Sequence, residues 1–280
     1  MTVEDIRKKK IEYGYSYKKL AELAHLPLGT VQKILSGVTK APRYDTLVAL
    51  ERVFAESDRR PEAASLAGMI EEAIPAYGPE MSDGQFFLPA GTDKKQGEFT
   101  VEDYYNLPDD VRVELIDGVF FYMNSPNYIH QIIAGMIHAR FLNFVMENGG
   151  DCEPLISPLD VQLDCDNRTM VEPDVLILCD RSKFKDGIVF GAPDLVVEIL
   201  SRSTRKKDTG IKYYKYHNAG VREYWIIYPG ERKAVVYDFE NEAPPAIYGE
   251  HDSVPVSIYG GKCTVDLQQI FARIDRITGA

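Results

Sequence analysis

Two acids stand where chains bury few charges. Asp174 lies near the start of the apolar run Val171 to Leu178, and Glu198 sits inside a second run, Pro193 to Leu200. A carboxylate within a hydrophobic strand is costly to bury unless it is paired, protonated or bound to a cation. Each acid lies near a polar break, so if the two strands are neighbours, both carboxylates converge on one divalent ion. Two hard oxygen ligands, completed by water and phosphate, suit Mg²⁺ or Mn²⁺. That is the layout of a metal-dependent phosphodiesterase site. The competing reading is a structural ion pair between Glu198 and a helix lysine, because structural networks also collect charges.

The elements that must position these acids can be read around them. After Ser201–Thr204 comes a helical stretch with Asp208, Lys212 and Tyr216 at i, i+4 and i+8, stopped by Asn218-Ala219-Gly220. A strand from Glu223 to Tyr228 closes the unit. Upstream, Thr100 caps a short helix with acids in its first turn. Residues 113–123 form a hairpin about Asp117-Gly118, with Glu114 alternating against Val113 and Leu115 onto the side of the other acids. A helix runs from Tyr128 to Asn148 and ends at Gly149-Gly150. Strands are expected at 151–156 and 159–163. After Pro229 a meander of strands (233–239, 246–248 and 253–259) leads to a closing helix at 266–271.

The first 55 residues have a different pattern. Helices are expected at 3–14, at 17–24 with Ser16 as cap, at 28–37 and at 45–54. In the third, Val31, Ile34 and Leu35 share one face, while Thr30, Gln32 and Lys33 point elsewhere. Two short helices joined by a tight turn, the second bearing polar residues near its start, make a helix-turn-helix. A helix bundle that binds a protein partner is the other use of such a pattern. Beyond Arg60, residues 62–74 read as one more helix and 75–97 as a Pro- and Gly-rich linker.

Charge divides along the same line. The net charge of the 280 residues is −11, yet the first 60 carry +4 and the remainder −15. The total argues against a protein that coats nucleic acid non-specifically, and the asymmetry suggests a DNA-facing N-terminal module on an acidic body. No apolar run is long enough to cross a bilayer, and the N-terminus lacks the order of a signal peptide. Cys152, Cys165, Cys179 and Cys263 are scattered, which indicates neither a zinc site nor a disulfide framework. A cytoplasmic, reducing location with no membrane association is expected.

Two resemblances sharpen this reading. Ser16 to Ala21 with Leu28 to Gly37 resembles the Cro/C1-repressor (XRE-type) helix-turn-helix family. The resemblance implies a recognition helix at Leu28 to Ser36, with Thr30, Gln32 and Lys33 as DNA contacts. Residues 99 to about 275 are similar to the Uma2 family, which has the PD-(D/E)XK restriction-endonuclease-like fold. The likeness is carried by Phe99 to Tyr104, Glu114 to Gly118, Ser125-Pro126 with His130-Gln131, Glu172-Pro173-Asp174, Ala192 to Ser201 and Gly220 to Trp225. The implied chain is of class α+β/α/β: an all-α helix-turn-helix domain (1–60), a helix plus linker (61–97), and a mixed-sheet nuclease-like domain (98–280).

The second resemblance also implies roles. Asp174 and Glu198 would bind Mg²⁺ or Mn²⁺ together with the main-chain carbonyl of Ile199, and Glu114 would supply an outer or second metal contact. Leu200 stands where that fold usually has lysine, and Lys212 is the expected substitute, held by Asp208 at i, i+4. Lys206, Lys207 and Lys215 are assigned to phosphate or solvent. His130, on the helix after the hairpin, could also approach the site, with a structural hydrogen-bonder the preferred reading, and Tyr224 and Trp225 are read as core. A DNA endonuclease acting as a homodimer is the expected function. A DNA-binding regulator or defence component with a degenerate nuclease fold is the alternative.

Overall fold

The computed structural model describes residues 1–12, 15, 17–35, 39, 42–57, 86–164, 166–201 and 207–279. The expected helix at 62–74, the Ser16 cap and Lys206 lie outside them. The N-terminal unit holds four helices: α1 (Val3–Glu12), α2 (Tyr17–Leu23), α3 (Leu28–Leu35) and α4 (Tyr44–Ser57). Its core is built from one face of each, including Ile6, Leu20, Val31, Ile34, Leu35, Leu50 and Phe54. The turn between α2 and α3 closes through His25, a non-glycine residue at φ 53°. Leu26 N–H reaches back to the Ala21 carbonyl at 2.9 Å, so α2 ends in a left-handed cap that redirects the chain at Pro27.

The second unit is a mixed sheet between helical layers. After α5 (Val101–Tyr105) come β1 (Val113–Ile116), β2 (Val119–Tyr122) and the long α6 (Tyr128–Asn148). Then follow β3 (Glu153–Ile156), β4 (Val161–Gln162), β5 (Val175–Leu178), β6 (Phe184–Lys185), β7 (Ile188–Phe190) and β8 (Leu195–Ile199). A π-helical turn (Lys207–Ile211) runs into α7 (Lys212–Ala219). The chain closes with β9 (Glu223–Tyr228), β10 (Lys233–Asp238), β11 (Ala246–Gly249), β12 (Ser253–Pro255), β13 (Thr264–Asp266) and α8 (Leu267–Thr278).

Six strands form the central sheet in the order β11-β10-β9-β8-β5-β3. All neighbours are antiparallel except β8 and β9, because α7 crosses over between those two. Side chains alternate across the sheet. Val175, Ile177, Val197, Ile199 and Trp225 pack under α6 and α8. Leu176, Val196, Tyr224 and Ile226 pack under Tyr216 and Ala219 of α7. By that alternation Glu198 faces α7.

The sequence expectations hold for the hairpin and its turn, where Asp117 and Gly118 both have positive φ, and for the Thr100 cap, which forms a reciprocal capping box with Asp103. Four points need correction. Residues 86–97 are no linker: Phe87 N–H bonds to the Phe120 carbonyl, and the Gln96 side chain bridges Phe87 and Phe120. The closing helix continues to Thr278. The short strands β6, β7 and β13 were not anticipated. Finally, Cys152 and Cys179 are joined in a disulfide. Antiparallel pairing of Glu153 with Leu178 brings these cysteines opposite each other despite a sequence separation of 27. No helix among the described residues is long and apolar enough to cross a membrane.

Candidate active site

The register of the central strands assembles the site. β5 and β8 pair Val175 with Val197, so Asp174 and Glu198 come next in line on facing strands. Residues directly opposite in such a pair have Cβ atoms about 5 Å apart. Asp174 Oδ2 accepts the main-chain N–H of Ile199 at 2.7 Å and lies 3.0 Å from His130 Nε2, reaching it from α6. Glu198 Oε1 accepts Lys212 Nζ at 2.7 Å and Tyr216 O–H at 2.6 Å. No hydrogen bond from the described residues reaches Asp174 Oδ1 or Glu198 Oε2. Both acids line a cavity of about 850 Å³.

Glu114 is arranged otherwise. It is fully buried in β1, and both of its oxygens are engaged. Oε1 takes Lys212 Nζ at 2.7 Å and the Glu172 N–H at 3.1 Å, and Oε2 takes Lys207 Nζ. Burial works against its ionisation, but the two lysines outweigh that and hold the carboxyl at about 2. Glu198 goes the opposite way. Burial pushes its pKa well above the ordinary 4.5, with Asp208, Asp174 and Glu114 adding to the effect against Lys212. Burial also opposes the charge on Lys212, yet Glu114, Glu198 and Asp208 keep it protonated. Tyr216, buried against Glu198, likewise keeps its proton and acts as donor.

Several residues stand apart from their sequence readings. Lys207, assigned to phosphate or solvent, is buried and paired to Glu114. Lys215, assigned likewise, is held by Asp117 at 2.7 Å and by Asp164. His130, read as structural, touches Asp174 and lines the cavity. Lys212 enters the site as expected, although its contact with Asp208 (3.8 Å) is longer than those with the two glutamates. The π-helical turn sets this spacing, placing Lys207, Asp208, Lys212 and Tyr216 all inward, and such turns recur at functional sites. Leu200 packs in the core beneath α7. Tyr224 and Trp225 are core as expected, with Tyr224 O–H donating to the Asp208 carbonyl at 2.9 Å.

The donor set suits a hard cation in one specific way. Among the described residues no three His, Cys, Asp or Glu side chains converge on a common point. Asp174 and Glu198 each keep one oxygen without a hydrogen bond from the described residues, and the acids around them, Glu114 and Asp208, share the cluster with Lys207 and Lys212. Divalent ions such as Mg²⁺ are commonly held by one or two carboxylates plus water.

At the other end of the chain, α3 buries Val31, Ile34 and Leu35 and leaves Lys33 exposed, with Thr30 and Gln32 half-buried.

A mixed sheet with opposed acids at the ends of two central strands, preceded by a helix-turn-helix, defines a nuclease-type fold joined to a DNA-binding motif. The chain belongs to the Uma2 family, described as "Putative restriction endonuclease", which it matches over residues 101–259. Residues 6–58 match a helix-turn-helix family. An uncharacterised protein of Synechocystis sp. is 33% identical over 115 residues, 41% of this chain; the chain spans 59% of that relative's length. The crystal structure of a protein from Anabaena variabilis, described as a putative nuclease belonging to DUF820, superimposes with a TM-score of 0.51 at 18% identity, over 62% of this chain and 98% of that one. That likeness shows the shared fold.

Proposed function

We propose that this protein is a Mg²⁺- or Mn²⁺-dependent endonuclease that hydrolyses DNA phosphodiester bonds, with the helix-turn-helix concentrating it on DNA. The observation that supports this most directly is Lys212. Its ammonium sits 2.7 Å from Glu198 in the cavity that Asp174 also lines, so a helix provides the cation that Leu200 does not. Leu200 favours an inactive nuclease fold, and the pair of Lys212 with Glu198 is also what a structural ion pair would give; the place of Lys212 on the cavity supports the enzyme reading.

Asp174, Glu198 and the Ile199 carbonyl would hold the ion. When bound, it lowers the pKa of a water and polarises the phosphoryl group. The chain's own groups account for the rest. Lys212 places a fixed positive charge where negative charge develops on the phosphoryl oxygens. Glu114, with both oxygens engaged, holds Lys207 and Lys212 in place, and we assign it this holding role in preference to a metal contact. Tyr216 fixes the Glu198 carboxylate by donating its O–H to Oε1. On α3, Thr30, Gln32 and Lys33 would contact DNA, and a homodimer would present two such helices.

The test is incubation of the purified protein with supercoiled plasmid and with single-stranded DNA, in Mg²⁺, Mn²⁺ or EDTA, beside an Asp174→Ala/Glu198→Ala double variant. Metal-dependent nicking that the double variant loses is the expected result. No cleavage, together with no metal binding by calorimetry, would overturn the reading. Light scattering in the same preparation reads the oligomeric state.

A further inference from the structure

His130 has a geometry that the proposed reaction does not yet use. It lies in the first turn of α6, where its own N–H is capped by the Asn127 side chain at 3.0 Å. Its Nε2 lies 3.0 Å from Asp174 Oδ2. The other ring nitrogen, Nδ1, is buried with no hydrogen-bond partner among the described residues. A neutral imidazole carries one N–H. Placing it on Nε2 gives Asp174 a donor, whereas placing it on Nδ1 would bury an unmatched donor and set two acceptors against each other.

The same arrangement excludes His130 as the base that activates water. One nitrogen faces a carboxylate and the other is shut away from the cavity, so neither can take a proton from a substrate or solvent molecule. What the ring does control is the rotation of Asp174. Together with the Ile199 N–H at 2.7 Å, it occupies Oδ2 from two sides. Oδ1, which no described residue contacts, is thereby held toward the cavity. A lone donor would leave the carboxyl free to rotate and exchange its oxygens.

We propose, building on the metal-dependent reading above, that His130 is a positioning residue that locks Asp174 with Oδ1 presented to a divalent ion. Removing the outer partner of a ligating carboxylate typically costs about 10- to 100-fold in metal affinity.

The experiment measures Mn²⁺ affinity of the full-length protein by calorimetry and by electron paramagnetic resonance, for wild type, Asp174→Ala, His130→Ala, His130→Asn and His130→Gln. The histidine ¹⁵N shifts of the metal-free wild type are recorded alongside. The glutamine amide reaches the Nε2 position and the asparagine amide does not. The expected result is the Nε2–H tautomer at His130, about 10- to 100-fold weaker Mn²⁺ binding in the Ala and Asn variants, and recovery in Gln, with all variants folded by circular dichroism. Wild-type affinity in His130→Ala would overturn the proposal while leaving the metal site standing, as would equal weakening in Gln and Ala, which marks mere packing. An Nδ1–H tautomer also overturns it. Absence of Mn²⁺ binding by the wild type would overturn both this proposal and the metal-dependent reading.

Discussion

One helix carries two lysines into two acidic clusters, and the clusters are not alike. Lys212 meets Glu114 and Glu198, with Asp208 a turn away. Lys215, three residues on, meets Asp117 and Asp164. Both are cations between two carboxylates, and both have raised pKa values because those acids outweigh burial. The first cluster is buried and lines the cavity. The second includes Asp117, half exposed at a hairpin turn, and clamps that turn to α7. The same residue types on one helix therefore line the candidate site in one place and make a fastener in the other. The difference lies in the surroundings: beside Lys212, Glu198 is buried and lines the cavity with Asp174, whereas beside Lys215 the Asp117 carboxylate is open to solvent.

That contrast can be broken by experiment. Lys212→Met should cost the nuclease-like domain about 3–5 kcal/mol at neutral pH, because it strips a buried network of its shared cation, as read by urea unfolding. Lys215→Met should cost less, about 1–3 kcal/mol, since Asp117 can turn to water and only Asp164 stays buried. Equal losses would erase the distinction between site and fastener.

A smaller effect is read as a slope. Glu198 has a folded-state pKa above its ordinary value, so it takes up a proton on folding. Its stabilising contribution is complete below pH 4.5 and is lost as pH rises through the folded pKa. In EDTA, Glu198→Gln should therefore gain on wild type in thermal unfolding as pH is raised above 4.5. Glu114, held at about 2, works in the opposite sense: its contribution is present above 4.5 and lost as pH falls toward 2. A wild-type profile that Glu198→Gln leaves unchanged would contradict the raised pKa of Glu198. The smallest effect belongs to the exposed pair Lys94–Asp103 at 2.6 Å, where Lys94→Ala should cost less than about 1 kcal/mol.

Legibility from sequence followed distance along the chain. Asp174 and Glu198 stood out because charged residues inside β-branched runs are conspicuous, and Lys212 and Tyr216 because helical spacing ties them to Asp208. Lys207 did not stand out, since its partner lies 93 residues away and nothing local announces it; His130 could be placed near the site from sequence, but not against Asp174, 44 residues away. The cysteine pair was hidden for the same reason: only the β3–β5 register brings it together. Residues 86–97 looked like a linker because Gly and Pro content reports turns. It does not report whether a turn-rich segment is fastened to a strand. In α3, by contrast, three apolar residues at helical spacing were enough to assign the buried face.

The reach of those contacts also sets an order of assembly as the chain is made. Among the described residues, the core of the four N-terminal helices draws on residues up to Phe54, and N-terminal domains fold first during synthesis. The acid cluster needs Glu114, Asp174 and Glu198 before α7 arrives to bridge them, and such long-range closures are slow. The residues of the helix-turn-helix core are therefore all synthesised more than a hundred residues before the strands that carry Asp174 and Glu198.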